Sequence, residues 1–202
     1  MKAKRPVKAP LPEMGRLRII GGQWRGRVLQ FPDVEGLRPT GDRVRETLFN
    51  WLMGYLPDAR CLDLFAGSGA LSLEALSRGA QHVHALELDR RAAQNIRHHA
   101  ATLGTQDLNV YCDDTLDYLA RGNSASPFDI VFIDPPFAAD LAGQCASLLE
   151  QGHWLSDAAW IYIEADKRLP PTVLPSHWQL HREKTAGQVL YRLYQRRPGD
   201  DG

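Results

Sequence analysis

From Thr40 onward the apolar positions recur with a helical period. Val44, Leu48, Trp51 and Leu52 fall at i, i+4, i+7 and i+8, which predicts an amphipathic helix with Asp42 near its start. Upstream, the stretch LRIIGGQWRGRVLQFP holds two short β-prone runs around Gly-Gly. It predicts a hairpin over roughly residues 16–31, carrying Arg16, Arg18, Arg25 and Arg27. Beyond Pro57 strand and helix patterns alternate. RCLDLFA reads as a strand, Gly67 to Leu76 as a turn and helix, and HVHALELD as the next strand. Asp89 then caps a helix whose core face is Ala93, Ile96, Ala100 and Leu103, with Gly104 as its stop. LNVYCDD, the short helix Thr115–Ala120 and FDIVFID follow, and then a helix with Leu141, Cys145, Leu148 and Leu149 on one face. WIYIEA and two closing β-runs, WQLHREKT and VLYRLYQRR, complete the chain.

Alternating β and α units imply an α/β fold, with a mostly parallel seven-stranded sheet covered on both faces and an antiparallel C-terminal hairpin. The expected organisation is a flexible basic arm at 1–14, a small N-terminal β-hairpin extension at 15–36, the main domain at 37–198 and a short tail at 199–202. The composition, 44% hydrophobic and 24% charged over 202 residues, excludes wholesale disorder and a disulfide-dense scaffold. No apolar run approaches the ~18 residues of a membrane span. The N-terminal MKAKRPVKAPLPEMG lacks the apolar core of a secretory signal. Cys61, Cys112 and Cys145 are scattered, as in a reducing compartment. A cytoplasmic monomer is expected.

The zero net charge hides an asymmetry that changes the picture. Residues 1–50 carry a balance of +6 and the remainder −6, which composition alone reads first as a solubilising basic tail and otherwise as a hint of contact with nucleic acid or a membrane.

Ligands of such a sheet bind beyond the carboxyl ends of the strands, near the switch in strand order. Asp63-Leu-Phe65-Ala66-Gly67-Ser68-Gly69 joins strand to helix with glycines that let backbone approach a ligand. Glu87, followed by Leu88, ends the next strand 20 residues after Gly67, where a carboxylate can accept from both hydroxyls of a ribose. Asp113 or Asp114, before Thr115, can meet an adenine amine, and Asp114 is preferred. Ser72 replaces the third glycine of the dinucleotide fingerprint. Asp63 suits a ligand with a cationic end, which S-adenosyl-L-methionine has.

Asp134-Pro135-Pro136-Phe137 directly follows an apolar strand. Methylating an exocyclic amine on a base is difficult because the nitrogen lone pair is delocalised into the ring. A carboxylate and a backbone carbonyl, here Asp134 and Pro135, can accept the two N–H bonds and redirect that lone pair. The prolines stiffen the loop, and Phe137 offers a face on which a base can stack. Trp24, Tyr55 and Trp154 read as packing or surface residues. The seven histidines form no ligand cluster, so no metal is expected.

LDLFAGSGALSLEALSRGA, FDIVFIDPPF, IIGGQWRGR and especially LRPTGDRVRETLFNWL resemble the bacterial 16S rRNA guanine-N2 methyltransferase family (RsmD-like). The likeness covers approximately residues 16–197. It implies a Rossmann-like class I S-adenosylmethionine-dependent methyltransferase fold. It further implies methyl transfer to the N2 amine of one guanine in 16S ribosomal RNA of the small subunit or its assembly intermediates. Within the most specific segment, Thr40, Arg43 and Arg45 are placed over the methionine end of the cofactor and the incoming RNA. Arg38 joins Arg45 and the four hairpin arginines as RNA contacts. The alternatives are a DNA or protein-glutamine amino-methyltransferase and a non-catalytic nucleoside- or RNA-binding module. DNA enzymes of this kind usually carry a target-recognition domain for which no segment is large enough.

Overall fold

The computed structural model describes residues 14–32, 41–136, 141–168 and 173–197. Thr40, Arg38 and Phe137 lie outside the described residues. The chain begins with an antiparallel pair, β1 (Met14–Arg18) and β2 (Val28–Pro32), in which Arg18 stands opposite Val28. Helix α1 (Asp42–Trp51) leads into an alternating series: β3 (Arg60–Asp63), α2 (Ala70–Ser77), β4 (His82–Leu86), α3 (Arg90–Leu103), β5 (Leu108–Tyr111), α4 (Thr115–Ala120), β6 (Phe128–Ile133) and α5 (Leu141–Gln151). Strands β7 (Leu155–Asp166), β8 (Trp178–Ala186) and β9 (Val189–Arg196) follow. The main sheet has the order β5-β4-β3-β6-β7-β9-β8, parallel through β7 and antiparallel at β9 and β8. The sheet therefore switches direction of winding between β3 and β6.

Local chemistry sets the element ends. The Asp89 carboxylate accepts from the amides of Arg91 and Ala92, and Gly104 closes α3 in the left-handed conformation. One apolar layer joins α1, α2, α3 and the hairpin to one sheet face, and a second joins α4 and α5 to the other. Strand β7 starts at Leu155, five residues before the WIYIEA run, because a bulge between Phe128 and Ile130 lets Leu155 pair with Phe128.

The hairpin departs from a tight Gly-Gly turn. Residues 19–27 form a long loop instead, held by helix α2. Ile20 and Gly21 donate their amides to the Glu74 carboxylate at 2.9 and 2.8 Å. The Ser77 hydroxyl accepts from the Trp24 amide and donates to the Gly21 carbonyl. Gly22 passes so close that a Cβ there would lie 1.7 Å from the Ser77 carbonyl oxygen. Leu17, Ile19, Leu29 and Phe31 complete the attachment inside the shared apolar layer.

All eight residues of α2 are buried, as expected for a helix that is apolar nearly all round. Glu74, with no exposed surface, is its one charged residue beside the two serines, and it also pairs with Arg45 at 3.5 Å and Arg78 at 2.7 Å. Removing one partner of a buried ion pair costs about 3–5 kcal/mol. Glu74→Ala should therefore lower the urea unfolding free energy by about that amount, because it takes the acceptor from the Ile20 and Gly21 amides and leaves the buried Arg45 with Asp42 as its remaining carboxylate. Unchanged stability would show that this cluster does not hold the hairpin.

Candidate active site

The carboxyl ends of β3, β4, β5 and β6 converge on the switch point, and each carries an acid. Asp63 ends β3 and is buried. Its Oδ2 accepts from the Ser72 hydroxyl at 2.6 Å, so the residue that breaks the dinucleotide fingerprint is a partner of this carboxyl. Oδ1 is buried with no hydrogen-bond partner among the described residues. Burial pushes the Asp63 carboxyl up to about 7, with Asp134 and Glu87 adding to the effect and the Ser72 hydroxyl and the Phe65 backbone amide opposing it.

The turn after β3 is built by backbone. The Ala66 amide donates to the Leu86 carbonyl, tying the turn to β4. Phe65 is half-buried and Ser68 buried. Gly69 caps α2 with φ +80°, a conformation that strains any residue with a Cβ. Glu87 lies beyond β4, and its two oxygens accept from the amides of Gly67 and Asp89, each at 2.7 Å. Each oxygen thereby keeps a second lone pair. Burial raises the carboxyl above its ordinary value against these two bonds. Leu88 beside it is 69% exposed, an apolar surface at the lip.

At the end of β5 the two candidate acids part company. Asp113 accepts from the Asp114 amide and pairs with Arg121 at 2.7 Å. Asp114 caps α4, and both capping bonds go to Oδ1. Thr115 does not face the turn: it is buried, and its hydroxyl donates to the Leu64 carbonyl, fastening α4 to the end of β3. Past β6, Asp134 is half-buried, Pro135 buried and Pro136 exposed.

A second surface forms between the hairpin loop and α1. A cleft of about 230 Å³ is lined by Arg18, Arg25 and Arg43 among other residues, with Asp42 and Glu46 on its α1 wall. Arg16, Arg18, Arg25, Arg27 and Arg43 are all exposed, and none is ion-paired among the described residues. Arg45 corrects the expectation of an RNA contact. It is 1% exposed, bonded to Asp42, Glu74 and the Arg18 carbonyl, because it lies on the core-facing side of α1 beside Val44 and Leu48. Glu74, Ser77 and Glu164, a buried acid two residues before the end of β7, were not apparent from pattern alone. The signal for each is a polar side chain inside an otherwise apolar run.

The strand order and the acid-tipped carboxyl edge define a Rossmann-like methyltransferase fold. A solved structure described as a putative methyltransferase yhhF from Escherichia coli superposes with TM-score 0.84 at 50% identity, covering 91% of this chain and 99% of that one. The family model "Conserved hypothetical protein 95" matches residues 17–195. Ribosomal RNA small subunit methyltransferase D of E. coli K12 is 52% identical over 90% of this chain and 91% of its own length. Its Haemophilus influenzae counterpart is 50% identical over 90% and 94%. The chain belongs to this family of ribosomal RNA small subunit methyltransferases D.

The raised Asp63 carboxyl has a consequence for stability. Below about pH 4 the carboxyl is protonated in both folded and unfolded chains, and its contribution is fully present. The contribution is lost as pH rises through the folded value of about 7. Asp63→Asn stays neutral, so the melting temperature of the wild type should fall relative to the variant across that window. Parallel curves would contradict a buried carboxyl of this kind.

Proposed function

We propose that the chain transfers a methyl group from S-adenosyl-L-methionine to the N2 amine of a guanine in 16S ribosomal RNA of the small subunit or its assembly intermediates. The observation that carries this reading is Asp134-Pro135-Pro136 leaving the central strand β6, on the strand next to Asp63 at the switch point. The family relatives support the ribosomal RNA substrate.

The residues at this edge fit the cofactor. Asp63 Oδ1, buried without a partner, suits an ammonium or a water that bridges to one. The lone pairs left on Glu87 suit a ribose diol, the Gly67–Gly69 turn admits close backbone approach, and Asp114 Oδ2, outside the two capping bonds, and the exposed Leu88 suit an adenine. When bound, the cofactor supplies an electrophilic methyl on a sulfonium. Asp134 and the Pro135 carbonyl then act on the other reactant, accepting the two N–H bonds of the amine so that its lone pair points away from the ring. Positioning two aligned reactants in a site that excludes water contributes most of the rate. The amine nitrogen becomes cationic and acidic on methylation, so no strong base is needed, and the acids of the edge stabilise that charge.

RNA is held by the exposed arginines of the hairpin and by Arg43, which have no ion-pair partner among the described residues, while Arg45 is structural. Their phosphate contacts release counterions and make affinity fall with salt.

Two measurements test the proposal. Labelled methyl transfer into small subunits, followed by nucleoside analysis, should yield N2-methylguanosine; label on protein, on DNA or on another RNA position would contradict it. Arg25→Ala with Arg27→Ala should weaken RNA-substrate binding. It should also flatten log affinity against log salt by about 0.7 per lost contact on a single strand. Melting should stay unchanged, because both side chains are exposed. An unaltered salt slope would remove these arginines from the RNA surface.

A further inference from the structure

Strands β6 and β7 run parallel, with Phe132 beside Tyr162 and Ile133 beside Ile163. One residue further along the same register, Glu164 comes alongside Asp134 at the carboxyl edge. Alternation along β7 puts Tyr162 and Glu164 on one face. Glu164 is only 5% exposed, and its Oε2 accepts from the Tyr162 hydroxyl at 2.8 Å. The chemistry derived above makes no use of this buried acid.

Its neighbours can be named from each element packed around it. Asp134 on β6 and Tyr162 on β7 act on it directly. Tyr191 of β9 stands opposite it, and Trp51 of α1 stacks on Tyr191 at 5.4 Å without adding charge. Asp166, the next acid on that face of β7, is neutralised by Arg168. Asp63 lies on β3, on the far side of β6. Burial, and then the charge of Asp134, pushes the Glu164 carboxyl up to about 8. Two carboxyls side by side in a buried place share one proton. The more exposed Asp134 keeps the charge and Glu164 keeps the proton.

We propose that Glu164 is a positioning residue: its neutral carboxyl, held by Tyr162, donates a hydrogen bond to Asp134 and fixes that carboxylate as the acceptor for the incoming amine. The inference rests on the reading of Asp134 given above.

The test measures kcat and KM for methyl transfer into small-subunit RNA across neutral and alkaline pH, together with cofactor affinity by calorimetry. In the wild type, kcat should fall as pH rises through about 8, where Glu164 ionises and its hydrogen bond to Asp134 is lost, and level off about tenfold or more below its neutral value. Glu164→Leu should lower kcat at neutral pH by about tenfold or more while cofactor affinity stays within about twofold. Glu164→Gln, a neutral donor that cannot ionise, should recover most of that loss and abolish the alkaline fall. Tyr162→Phe removes a bond that favours the ionised form, so it should move the fall to higher pH. If the Leu variant does not fold, the Gln and Phe variants carry the test. Melting curves check them, and Gln should melt at or above the wild type in alkali because it buries no charge. Wild-type kcat in the Leu variant, or an alkaline fall that persists in the Gln variant, would overturn the proposal. A wild type that forms no N2-methylguanosine would overturn the functional reading itself and this inference with it.

Discussion

Two amides of the hairpin loop and two guanidinium groups converge on the carboxylate of Glu74, on a helix buried on every side. An isolated carboxylate in that place would cost several kcal/mol, and the four donors offset the cost. Much else depends on this meeting. Helix α2 begins at the Gly67–Gly69 turn and holds the hairpin loop through Glu74 and Ser77 in its second half. The turn proposed to meet the cofactor and the loop proposed to meet RNA are therefore fixed to one short rigid element. Arg45 joins the same cluster, which ties the start of α1 to it.

Charge is sorted by depth. Three neighbouring strands, β4, β3 and β6, end at or just before an acid: Glu87, Asp63 and Asp134. This edge suits a cationic methyl donor and an amine that becomes cationic. The exposed arginines, without an ion pair among the described residues, lie outside it, on the hairpin and the first turn of α1, where phosphate can reach them. The +6 balance of residues 1–50 and the −6 of the remainder accord with this division: opposite charges are kept on separate surfaces.

Where the chemistry is local, the sequence was legible. The Asp89 cap, the Gly104 stop and the bounds of α4 follow from residues within a few positions of each other. The mostly parallel seven-stranded sheet with its antiparallel C-terminal hairpin, and the acids after β3, β4, β5 and β6, follow from alternation and motif spacing. What escaped was set by contacts distant in sequence. The hairpin loop opens because Glu74, more than 50 residues away, takes its amides. Arg45 is buried by the same partner, though RPTGDRVRE reads as a basic surface segment. The Thr115 hydroxyl is drawn to Leu64 across 51 residues. Two clues were present: a lone acid in ALSLEALS and another in WIYIEAD mark charges that an apolar run would carry only with partners.

The claim that the acids divide their labour, some holding the cofactor and one acting on the amine, is tested most directly with Asp134→Ala. Cofactor affinity by calorimetry and single-turnover methylation of small subunits are measured on the same folded sample. A group that acts only as the amine approaches the methyl contributes to the transition state rather than to cofactor binding. The account predicts near wild-type affinity and loss of most methyl transfer. A variant that bound the cofactor poorly, or methylated at the wild-type rate, would contradict it.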